Sequence, residues 1–96
     1  MDAAKILAKQ LRNIGPKLAQ KMADAGIDTP AKLRHMGAKK AFAAMYPSGD
    51  VYGDFNAAYL YALEGAIRDC SMSDLPETTK QEFRDYTHKM QRNRFS

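Results

Sequence analysis

The residues of this chain best suited to chemistry are consecutive: Leu11-Arg12-Asn13-Ile14-Gly15-Pro16-Lys17-Leu18-Ala19. An apolar residue, a glycine, a helix-starting proline and a lysine, in that order, are the pattern of a helix-hairpin-helix turn. Such a turn aims several backbone N–H groups outward at the start of its second helix. Together with the helix dipole they hold an anion, ordinarily a nucleic-acid phosphate, without reading a base. Gly15 lets the backbone come close, Lys17 adds a charge-assisted contact, and small Ala19 lets the two helices approach. Hairpins that grip phosphate commonly carry glycine on both sides of the apolar turn residue, and here the first of those positions is Asn13. Asparagine tolerates positive φ better than most residues, so the turn survives while the phosphate approach becomes less snug. The same geometry also serves hairpins that only pack helices together, and both readings stand at this stage. On the first, Arg12, Asn13, Ile14, Gly15 and Lys17 contact DNA, and Lys21, Lys39 and Lys40 supply the surrounding field. Pro16 and Ala19 are structural on either.

Few other residues offer chemistry. His35 and His88 fall on different predicted helices, with no Cys or carboxylate at ligand spacing beside them, so surface histidine is the default and no metal is expected. Cys70 lies on an apolar stripe and reads as a small buried hydrophobe. Glu64-Gly65 sits mid-helix, where glycine costs about 1 kcal/mol relative to alanine. A second helix crossing at van der Waals distance would offset that, with Glu64 either capping N–H groups of a neighbouring turn or standing as a surface carboxylate. Tyr46, Tyr52, Phe55 and Tyr59 cluster around one irregular segment, where packing under the loop competes with base stacking or a partner surface. No Ser-His-Asp set, paired-carboxylate site or NTPase-type phosphate loop occurs, so no catalytic residue, cofactor or small-molecule substrate is expected.

These residues are held by helices, because 3.6-residue spacing recurs throughout and no strand-like alternation lasts. A first helix is predicted over about 3–12, with Ala4, Ile6, Leu7 and Leu11 on one face. Pro16 opens a second, where its missing N–H costs nothing, and the hairpin occupies about 3–25. Gly26 is placed as a left-handed cap with Ile27 behind it. Thr29-Pro30 starts a third helix ending at Gly37, and a fourth follows over about 38–46. Residues 47–54 form the longest irregular stretch. The core helix spans about 55–69 on the stripe Tyr59, Ala62, Leu63, Ala66, Ile67 and Cys70, and a last helix spans about 77–91, with the tail beyond it frayed.

The 96 residues bound the answer to one domain, 1–96, burying roughly 60–70% of its unfolded surface without staples. Hydrophobic content of 45% and charged content of 27% are those of ordinary globular protein. The lone Cys70 cannot form an internal disulfide. No apolar run approaches the ~20 residues needed to span a bilayer, and no secretory signal is evident, so a cytoplasmic protein is expected. The net charge of +4 is uneven: nine Lys/Arg against three acids through Tyr46, then six against eight. A basic first half favours polyanions such as DNA, or it simply solvates helix surfaces.

Leu11-Arg12-Asn13-Ile14-Gly15-Pro16, Ala25-Gly26-Ile27-Asp28-Thr29, Leu33 with Gly37-Ala38, and Tyr61-Ala62-Leu63-Glu64-Gly65-Ala66-Ile67 closed by Asp74-Leu75-Pro76 resemble the C-terminal domain of the TfoX/Sxy family. These blocks run in family order over two thirds of the chain. That family comprises regulators of bacterial natural competence. The resemblance implies an all-α fold, a compact bundle of five or six short helices with a helix-hairpin-helix-like (SAM-like) core. Full-length members also carry a preceding α/β domain and act as positive regulators, in some lineages beside a cyclic-AMP-responsive activator. Only about ten residues precede the hairpin here, so a stand-alone copy or an excised domain is expected.

The expectation is therefore a non-enzymatic regulatory domain binding the DNA backbone weakly and non-specifically through the hairpin. The alternative is a protein-interaction module that docks a transcription regulator or self-associates. Convergence of the first-half cations on the hairpin mouth would favour the first, and their dispersal the second.

Overall fold

Helix starts in this chain are written in caps and prolines. Asp2 accepts from the Ala4 N–H at 3.0 Å and opens α1, Ala3–Gln10. Thr29 accepts from the Lys32 N–H at 3.1 Å and, with Pro30 in the first turn, opens α3, Pro30–Met36. Between them lies α2, Pro16–Asp24, whose N-cap is Gly15. One residue, Gly37, separates α3 from α4, Ala38–Met45. Helix α5 spans Ala57–Arg68, a single 3₁₀ turn covers Met72–Asp74, and α6 runs over Glu77–Phe95. The computed structural model describes residues 2–45 and 57–95, and no strand occurs among them: the domain is all-α. The irregular stretch expected at 47–54, and Tyr46, Tyr52 and Phe55, lie outside the described residues.

The end of α2 closes as its sequence predicts. Gly26 takes φ +87°, its N–H donates to the Ala23 carbonyl at 3.0 Å, and the Ile27 N–H donates to the Met22 carbonyl at 2.8 Å. That is a Schellman motif, and the apolar pair which accompanies it, Ile27 against Met22, is fully buried. Helix α6 departs from expectation. It continues through Phe95 rather than fraying after residue 91, and no Gly or Pro stands in Gln91-Arg92-Asn93-Arg94 to stop it.

The core joins Leu7 and Leu11 of the first segment to Leu18, Ala19 and Met22 of α2, Leu33 of α3, Phe42 of α4, Leu60 and Leu63 of α5, and Phe83 of α6. Ala19 is completely buried where α1 and α2 pack together. Helix α5 is the central strut, packed against α3, α4, α6 and the 3₁₀ turn. This position corrects the expected stripe. Leu60 and Gly65 are buried with Ala62, Leu63 and Ala66, whereas Tyr59 and Ile67 are only half-buried and Cys70 lies beyond the helix end. A helix with neighbours on several sides has no single apolar face for periodicity to find.

Candidate functional site

The hairpin turn is built around one left-handed residue. Asn13 has φ +68°, in the region that only glycine and, among L-residues, chiefly asparagine and aspartate enter. Its side chain then reaches a segment almost sixty residues further along. Nδ2 donates to the Cys70 carbonyl at 2.9 Å, and Oδ1 accepts from the Met72 N–H at 3.2 Å. Both halves of the amide are thus used, on two backbone groups that the end of α5 leaves without a helical partner. Beside it, Arg12 donates from a guanidinium N–H to the Asp69 carbonyl at 3.3 Å. The turn is clamped to the end of the central helix by two neighbouring side chains.

The receiving end is itself a Schellman motif. Asp69 takes the left-handed position at φ +56°, its N–H donates to the Ala66 carbonyl at 3.3 Å, and the Cys70 N–H donates to the Gly65 carbonyl at 2.9 Å. Gly65 makes room for the clamp. A Cβ built on it would fall on Asn13 Nδ2 and within 2.9 Å of the Cys70 carbonyl oxygen. The mid-helix glycine is explained by close approach, as the sequence suggests, but what approaches is a turn side chain and the chain leaving α5 rather than another helix. Glu64 accepts from Arg68 Nε one turn on, at 2.6 Å; the turn is held by the Asn13 amide instead. The partners in this clamp are backbone atoms, which leave no side-chain signature. The one sequence signal was Gly65 inside a helix.

The remaining hairpin residues divide between core and surface. Ile14 is 4% exposed and packs inward, so only its backbone can meet an anion. Gly15 is exposed, a Cβ on it would meet nothing within 4 Å, and no side chain caps the start of α2. Lys17 is exposed in the first turn and, with Asn13, Pro16, Tyr59 and Met72, lines a groove of about 310 Å³.

The other cations lie elsewhere. Lys21 borders a hollow with Asp24, Ala25, Ala44 and Met45. Lys39 bridges to Glu82 of α6 at 3.2 Å and lies 5.4 Å from the centre of the Tyr86 ring. Lys40 lines a cleft with Glu64, Arg68, Thr79 and Glu82, at the meeting of the α3–α4 junction, α5 and α6. The structure therefore brings Arg12, Asn13, Gly15 and Lys17 together and sets Lys39 and Lys40 apart from them. His35 and His88 are both exposed, and no group of three or more His, Cys, Asp or Glu suited to a metal occurs among the described residues.

These features define a small helical domain whose first hairpin is locked to the end of its central helix. The sequence model of the TfoX C-terminal domain matches residues 5–86, and the chain belongs to that family. Its fold is similar to the crystal structure of an uncharacterized protein from Listeria monocytogenes, with a TM-score of 0.78 and 34% sequence identity, covering 88% of this chain and 91% of that one. No significant match occurs among curated proteins. No helix among the described residues is long and apolar enough to cross a membrane.

Proposed function

We propose that this TfoX C-terminal domain is a non-enzymatic, cytoplasmic regulatory module that works by docking onto another protein, in the family's setting a regulator of competence genes. The observation that carries this reading is the dispersal of the cations. Lys39 is held by Glu82 and Tyr86, Lys21 borders a separate hollow, and Arg12 and Asn13 face backbone carbonyls of the same molecule. A phosphate-tracking surface needs several cations on one face, since each phosphate neutralised contributes to affinity through counterion release. A hairpin clamped at both turn residues is instead a rigid support for a docking face.

A second reading, weak contact with the DNA backbone, is favoured by one observation: the start of α2 carries no side-chain cap, and the space before Gly15 is open. Titrating labelled duplex at two salt concentrations, beside a pull-down with the tagged full chain, separates the two. Docking predicts a captured regulator, no measurable duplex binding at low salt, and indifference to Lys17→Ala. Duplex binding whose logarithmic salt slope falls by about 0.9 in Lys17→Ala would reverse the order of the readings.

A further inference from the structure

The outer groove between α1 and α2, of about 350 Å³, lies apart from the clamp. Its floor is Ala4, Ala8 and Pro16, and its rim is Lys5, Lys9 and Gln20, with Asp2 at one end. Ala4 is already packed into the core at 5% exposure, and half-buried Ala8, one turn on, puts only a methyl group on the α1 side of the floor. A helix laid there can approach to the short end of the usual 8–10 Å interaxial range.

The rim is basic along α1. Lys5 and Lys9 are exposed on one helix at i and i+4, a like-charge spacing that destabilises a helix slightly. Four other cations are matched within the fold: Lys32 with Asp28, Lys39 with Glu82, Arg68 with Glu64 and Arg84 with Glu77. Among the described residues Lys5 and Lys9 have no ionic partner, and α1 has no acid in its first turn. Asp2 is engaged as the helix cap.

We infer that this groove seats an amphipathic helix of a partner protein, its small apolar face on Ala8 and Pro16 and two carboxylates one turn apart on Lys5 and Lys9. The inference rests on the docking reading above and specifies its partner. The apolar floor selects a protein helix over a phosphate backbone, which has no apolar face to bury against it. The spacing of the lysines sets the spacing of the acids.

The test is a titration of the ¹⁵N-labelled full chain with a synthetic Ala/Leu-faced helical peptide carrying Glu at i and i+4, followed by amide shifts. A matched peptide with Gln at both positions is the control. The expected result is shifts confined to Ala4, Lys5, Ala8, Lys9 and Gln20. Affinity falls about tenfold for the Gln peptide and for the Lys5→Glu/Lys9→Glu variant, and is unchanged in Lys40→Ala. The Gln peptide keeps the test decisive even if the double variant folds poorly. Shifts on another face, or equal affinity for both peptides, overturn the groove assignment and leave docking standing. Shifts of the groove by duplex DNA with none from the peptide overturn both.

Discussion

Two turns of this domain solve the same geometric problem in opposite ways. At Gly26 the chain must turn left-handed to end α2, and it uses glycine; a Cβ there would meet nothing within 4 Å, and the turn is completed by its own neighbours. At Asn13 the chain is also left-handed, yet it carries a side chain whose amide makes two hydrogen bonds to the end of α5. The first turn is local and self-sufficient. The second accepts backbone strain in exchange for a tertiary contact. At Asn13 the left-handed side chain makes a long-range contact, whereas Gly26, and Asp69 with its local closure, serve only to end a helix.

The sharpest way to break the comparison is Gly65→Ala. In an ordinary helix interior this change stabilises by about 1 kcal/mol. Here the added methyl displaces Asn13, and two partly buried backbone groups lose their partners at about 1–3 kcal/mol each. The expected outcome is a net loss of about 2–4 kcal/mol, read as a lower midpoint in urea. Asn13→Ala follows at about 2–3 kcal/mol, because it removes both bonds and keeps the left-handed strain. The double variant should cost much less than the sum of the two singles, since both destroy one contact. Additive losses would show that Gly65 and Asn13 act separately.

Gly26→Ala tests the local turn. It should cost about 1–2 kcal/mol from strain alone and show no coupling to Gly65→Ala. Asp69→Gly reverses the sign. It relieves a strained left-handed residue while keeping the Asp69 carbonyl that Arg12 uses, so it should stabilise by about 0.5–1 kcal/mol, raising Tm by a few degrees in a domain of this size.

The smallest effect is in pH. Hydrogen bonds and charge attraction from Lys32 and Arg84 hold the carboxyls of Asp28 and Glu77 below their ordinary values. A carboxylate with a lowered folded pKa contributes stability above its unfolded pKa and loses it as pH falls through the folded value. Both pairs are exposed and screened, so stability should dip only slightly below the usual carboxylate range, and added salt should remove the dip. A large dip would point to a carboxylate acting elsewhere.

Much of the domain is legible in its residues. Asp2, Pro16, Thr29-Pro30 and the Gly26-Ile27 pair specify helix boundaries because caps and left-handed closures depend on a few adjacent atoms. The hairpin residues and Gly65 also stand out in the sequence. What they meet does not. The Cys70 carbonyl, the Met72 N–H and the Asp69 carbonyl are groups every residue owns, so no residue type advertises them. The separation of Lys39 and Lys40 from the hairpin is equally invisible in one dimension, where all the cations of the first half stand in one basic stretch. Local geometry is decided by neighbours in the chain, and so sequence determined the helices and the family. Which side chains share a face depends on how α5 is packed among α3, α4 and α6, and only the folded chain decided that.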